Sequence, residues 1–268
     1  VNDALPPVLD PAPAPPSRRA AAVALFVLAL YVVVPALLGA FRGGGDGALI
    51  PGSVRDVLLV CSFELALFGA AFALAVWLGR LRKDDLLLRW GGRWVVPRAA
   101  AWSLALRFGV GIVLAVALGI WHLTTGAPVD NLGGLRPKVE AMVDVEALRD
   151  PVYMVLMLTL VSFVLAGLRE ELWRVGMIAL LGRVLPRCFG GRLGPWLAIV
   201  PAAILFGLAH TPQGWMGVAA TTGLGLGLGA IMLLHRSLWD AVLAHGFFNA
   251  ATFAVLPWIA QHLGGLTG

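Results

Sequence analysis

The chain has 268 residues, 59% of them hydrophobic and only 13% charged, and its mean hydropathy is +0.87. Soluble domains average about 25% charged residues, so the composition excludes an ordinary soluble domain and defines an integral membrane protein. The pI near 10.0 does not argue for nucleic acid, because the basic residues gather at the ends of apolar runs, as they do in loops facing the cytoplasmic leaflet.

Residues 1–19, VNDALPPVLDPAPAPPSRR, are Pro-rich and cannot build a core, which predicts a disordered tail. Arg18 and Arg19 then precede an apolar run, Ala20 to Phe41. At ~20 residues this run can span a bilayer and exceeds the apolar part of a signal peptide, so it reads as an uncleaved first helix. Further runs cover Val54 to Leu78, Ala99 to Trp121, Pro151 to Leu185, Pro195 to His210, Trp215 to Leu234 and Leu238 to Leu256. The run from Pro151 is too long for one perpendicular crossing, which needs ~20 residues. It is either one tilted helix or a broken pair. The expected fold is all-α: a polytopic bundle of seven or eight helices forming one membrane domain over 20–268.

Orientation follows from lysine and arginine alone. The segment after the second run carries Arg80, Arg82, Lys83, Arg89, Arg93 and Arg98. The loop from His122 to Asp150 is instead acidic, with Asp130, Glu140, Asp144, Glu146 and Asp150. The first of these loops and the N-terminus are therefore expected in the cytoplasm, and Arg183, Arg187 and Arg192 agree. Trp90, Trp94, Trp121 and Trp239 fall at span ends, where indole rings favour the interface. The two cysteines, Cys61 and Cys188, offer neither a disulfide framework nor a zinc spacing. Gly223, Gly225, Gly227 and Gly229 form overlapping Gly-x-x-x-Gly patterns, which in an apolar span mean close helix approach.

Ionisable groups inside a span cost ~2.5–3.5 kcal/mol on insertion scales, so each marks a candidate site. Glu64 and Arg107 lie near the middles of consecutive spans and are expected to neutralise each other. A richer set is Arg169, Glu170, Glu171 and Arg174 in one run, His210 at the end of the next, and His245 with Asn249 in the last. Glu170 and Arg174 are one helical turn apart, as are His245 and Asn249. Each pair alone reads equally well as a salt bridge at a helix end or an interhelical hydrogen bond. Together they form a hydrolytic inventory: a carboxylate and a histidine to take a proton from water, and a histidine and a carboxamide to bind an oxyanion.

REELWR (169–174), FGLAH (206–210) and HGFFN (245–249) resemble the three motifs of the CAAX protease and bacteriocin-processing family, over about residues 151–256. The resemblance implies an intramembrane endopeptidase. A glutamate of the first motif and His210 would activate water, His245 and Asn249 would form the oxyanion site, and Arg174 would stabilise the ionised glutamate. The family motif has three residues between its double glutamate and its arginine, whereas only Leu172 and Trp173 separate Glu171 from Arg174 here. Helical spacing favours Glu170 with Arg174 as the couple, making Glu170 the expected base and Glu171 the alternate.

A zinc site from Glu170, His210 and His245 is the alternative chemistry. The metal-free route is preferred, because Asn249 and Arg174 suit an oxyanion site and a charge partner better than zinc coordination. The competing class is a non-catalytic immunity or assembly protein that keeps the polar cluster for helix packing. A transporter is disfavoured because no internal repeat is visible. Expected partners are the bilayer and a peptide or membrane-protein substrate, lipidated or not.

Overall fold

The computed structural model describes residues 17–41, 48–126 and 137–263. The expected tail falls almost wholly outside these residues, as does Asp130. The described chain is helical. Its only β pairing is an isolated bridge between Ile50 and Val143.

The helices are α1 (Arg18–Phe41), α2 (Val54–Gly79), α3 (Val95–Thr125), α4 (Pro151–Val184), α5 (Pro186–Phe189), α6 (Gly194–Leu208), α7 (Gly214–His235) and α8 (Leu238–Leu263). Six of them, α1 to α4 with α7 and α8, are long and apolar enough to cross a membrane, while α6 is apolar but shorter. The run from Pro151 is thus one continuous helix and not a broken pair.

Local signals explain the boundaries. Ser53 caps α2 by accepting the Asp56 amide at 3.1 Å. Asp150 caps α4 by accepting the Tyr153 amide at 2.8 Å, with Pro151 in the first turn. These side chains satisfy amides that have no partner within the helix. Arg80 and Arg236 close α2 and α7 in the left-handed conformation, at φ 47° and 48°.

Within α4, residues Met157–Leu168 wind as a π-helix, and Arg169–Val184 continues as an α-helix. Ser162 marks the wider winding by donating to the carbonyl of Met157, five residues back, at 2.7 Å. Extended π segments are rare, and shorter ones cluster at functional sites.

The most extensive helix contacts join α6 to α7 and the π segment to α8. Small residues permit both. A Cβ on Gly167 would lie 2.8 Å from the carbonyl of Val242, and one on Gly246 would enter the Phe163 ring. The close approach expected for the α7 glycines is realised on two faces. Gly225 and Gly229 lie against Phe206 and Ile199 of α6, and Gly227 against Leu106 of α3, whereas Gly223 faces open space. Trp173 donates to the carbonyl of Leu28 at 2.8 Å, pinning α4 against α1. Arg98 and Asp240 tie α3 to α8 at 2.5 Å.

Candidate active site

The first-motif charges sit immediately after the π segment. Where the backbone ladder returns from five-residue to four-residue bonding, one carbonyl loses its amide partner. The Leu165 carbonyl there accepts from Nε of Arg169 at 2.9 Å. The rest of the Arg169 guanidinium reaches two other helices. Nη1 donates to Glu64 Oε2 of α2 at 2.8 Å and to the Tyr31 hydroxyl of α1 at 3.0 Å. Tyr31 in turn donates to Glu64 Oε2 at 2.9 Å. Nη2 donates to Glu170 Oε1 at 2.8 Å.

Two expected pairings are therefore corrected. Glu64 is neutralised by Arg169 and not by Arg107. Arg107 instead donates to the Phe248 carbonyl and to Thr252 Oγ1 at 3.3 Å, with its guanidinium 4.5 Å from the Phe248 ring centroid. Arg174 pairs with Glu171, one turn back at the three-residue spacing, and not with Glu170. Both spacings place side chains side by side on a helix. The choice falls to Glu171 because Arg169 has already taken Glu170, and because Glu171 and Arg174 share the face turned into the bundle.

The two glutamates occupy different environments. The side chain of Glu171 is 0% exposed and that of Glu170 is 18% exposed, so only Glu170 is open to solvent or substrate. Arg174 is also fully buried, with its guanidinium 4.5 Å from the centroid of the Phe206 ring. Apart from the ion contact, all three Arg174 side-chain nitrogens and Glu171 Oε2 lack a hydrogen-bond partner of good geometry among the described residues.

Both motif histidines are oriented through Nδ1. His245 of α8 lies 2.9 Å from Glu171 Oε1 by that nitrogen. A carboxylate beside an arginine only accepts, so Nδ1 carries the proton and Nε2 is the outward nitrogen. That Nε2 lies 3.8 Å from Glu170 Oε2. His210 Nδ1 lies 2.8 Å from the Phe206 carbonyl, which likewise can only accept, and Nε2 is again left over. Phe206 stands between the two imidazoles, with ring centroids 4.8 Å from His210 and 6.0 Å from His245. The charge of Glu170 and the His245 ring both lie within electrostatic range of His210. His210 itself follows the end of α6, whose 15 residues rise ~22 Å at 1.5 Å each. That is less than the ~30 Å hydrocarbon core, so the helix can stop within the bundle. Asn249, one turn after His245, is half-buried, and its side chain makes no hydrogen bond among the described residues.

Glu170, Glu171, Arg174 and His245 thus converge, with His210 beside them across Phe206. Among the described residues, no three His, Cys, Asp or Glu side chains are placed to hold a metal ion, so Glu170, His210 and His245 are not gathered as a zinc site. The sequence reading placed Arg169 in the set without its partners, gave Glu64 to Arg107, and missed Tyr31. Tyr31, one of only two tyrosines in the chain, in an otherwise apolar span, was the signal that could have found them.

Six long apolar helices, with a partly buried acid–imidazole cluster between them, define a multi-pass helical membrane protein. Residues 151–251 match the family model described as Type II CAAX prenyl endopeptidase Rce1-like, a match that supports the resemblance of the three motifs to the CAAX protease and bacteriocin-processing family. No curated protein and no solved structure matches the chain.

Proposed function

We propose that the protein is an intramembrane endopeptidase in which Glu170 is the general base. The observation that carries this reading is the free Oε2 of Glu170, 3.8 Å from the outward nitrogen of His245. That gap is too long for a direct hydrogen bond and suits a shared water or substrate atom.

In the proposed reaction Glu170, helped by His210 Nε2, takes a proton from water. The hydroxide adds to the peptide carbonyl carbon, and the oxyanion is held by His245 and the unpartnered Asn249 carboxamide. The intermediate then collapses, the C–N bond breaks, and the proton returns from Glu170 to the leaving amine. Glu171 and Arg174 act as positioning residues, because they touch His245 and Phe206 and are too buried to meet substrate. The five nearby charges, Arg169 and Arg174 against Glu64, Glu170 and Glu171, leave one negative charge in excess. Donation to the oxyanion uses a proton on His245 Nε2 together with the one on Nδ1. No step of this scheme requires a metal.

The family description points to prenylated C-terminal peptides as the first substrates to try. The test uses the purified full chain in micelles with an internally quenched, S-farnesylated CAAX peptide and its unprenylated counterpart. Wild type is expected to cleave one of them, and folded Glu170→Ala and His210→Ala variants neither. Equal signals from wild type and both variants would favour a non-catalytic membrane protein that keeps the cluster for packing.

A further inference from the structure

The Arg169 guanidinium uses all three of its nitrogens. Nε holds the Leu165 carbonyl, Nη1 holds Glu64 and Tyr31, and Nη2 holds one oxygen of Glu170. The side chain is largely buried, and its partners come from three helices. A planar fork with fixed donor directions constrains a carboxylate more tightly than a point charge does. Glu170 is thereby divided into an occupied Oε1 and a free Oε2, and the free oxygen is the one 3.8 Å from His245 Nε2.

We propose that Arg169, seated on Glu64 and Tyr31, is the positioning residue that aims Glu170. This rests on the reading of Glu170 as the base. The working unit then extends beyond the family-matched segment 151–251 into α1 and α2, which supply the seat. Glu64 opposes Glu170 across the guanidinium and fixes its direction. Without Glu64, Arg169 would be free to close over both oxygens of Glu170. Tyr31 completes a triangle, donating to Glu64 while accepting from Arg169, so that rotation of any one group breaks a hydrogen bond.

A base that is held but not consumed should lose turnover and keep substrate affinity when its holder is removed. Misplacement by about 1 Å costs on the order of a hundredfold in rate. With the same S-farnesylated and unprenylated peptides, Arg169→Gln is expected to lower kcat about a hundredfold with KM little changed. Glu64→Gln and Tyr31→Phe should lower kcat by about tenfold, as expected of a smaller displacement. Arg169→Lys keeps the charge but not the fork, and should fall between wild type and Arg169→Gln. Tyr31→Phe removes a single hydroxyl and serves as the variant least able to disturb folding, which thermal unfolding in micelles checks for all four. Unchanged kcat in Arg169→Gln, Glu64→Gln and Tyr31→Phe, alongside an inactive Glu170→Ala, would overturn the clamp and leave the base in place. Cleavage unaffected by Glu170→Ala would overturn the base, and the clamp with it.

Discussion

Glu171 and His245 are separated by 74 positions in sequence, yet Glu171 Oε1 accepts from His245 Nδ1 at 2.9 Å in a site where neither side chain is appreciably exposed. This bond gives the two adjacent glutamates different roles. Glu171 orients an imidazole from inside the bundle, and Glu170, one residue earlier, is left facing the accessible side.

The division predicts opposite phenotypes for two neutral replacements. Glu171→Gln leaves Arg174 as a buried cation without a counter-charge, and breaking a buried pair in this way costs about 3–5 kcal/mol. A large drop in thermal stability in micelles is expected. Glu170→Gln, at a partly exposed position, should retain most of the stability and lose cleavage. If Glu171→Gln unfolds at the wild-type temperature, the buried pair has no structural weight.

Coupling energies separate the observed ion pair from the one expected by depth alone. Double-mutant cycles in stability should show interaction between Glu64 and Arg169 of about 0.5–3 kcal/mol, as for contacting residues. The Glu64 and Arg107 cycle should close within about 0.5 kcal/mol of zero, as for independent sites. The reverse ranking would restore the simple α2–α3 neutralisation.

Close approach of α4 and α8 holds Glu171 against His245. Gly167→Ala places a methyl group 2.8 Å from the Val242 carbonyl, a backbone atom with little room to move. Overpacking of this kind costs about 1–3 kcal/mol, and cleavage should fall with it. Gly119 of α3 meets nothing within 4 Å. There Gly119→Ala should be neutral or gain up to about 1 kcal/mol from helix propensity. Thermal unfolding of the two variants side by side is the measurement, and equal shifts would count against a tight α4–α8 seam.

The native cysteines report orientation. Cys188 on α5 is exposed and Cys61 on α2 is buried. Arg18 at the start of α1 donates to the Val184 carbonyl at the end of α4 at 2.7 Å, which puts the start of α1 and Cys188 at the same end of the bundle. With that end in the cytoplasm, as the arginine distribution predicts, a membrane-impermeant maleimide should label Cys188 in inside-out vesicles and not in right-side-out cells. Labelling only from outside would invert the topology.

Much of this molecule was legible from one dimension. Span positions emerged within a few residues because long apolar runs bounded by arginines leave few alternatives, as with α2 and α7. The convergence of Glu170, Glu171, Arg174 and His245 was legible because charge inside a bilayer requires company. The partners within the cluster were not legible. Glu170 and Glu171 sit at acceptable spacings from Arg174 alike, and the choice depends on which helix face is turned inward. That face depends on the winding of the residues before it, and no periodicity in an almost wholly apolar run reveals a π segment. The role of Arg169 was not legible because its seat lies on two helices whose sequences look generic.

The wide winding of Met157–Leu168 acts as an angular offset between the outer and inner portions of one rod. Each residue of an ordinary helix turns the next by about 100°, so removing a single residue here would re-phase everything downstream as a block. The two acids would rotate away from α8 while hydrophobic length, composition and total charge stayed almost the same. Chain length in this segment is therefore a functional variable in itself, and a protein shortened there could insert normally and still carry its carboxylates on the wrong side.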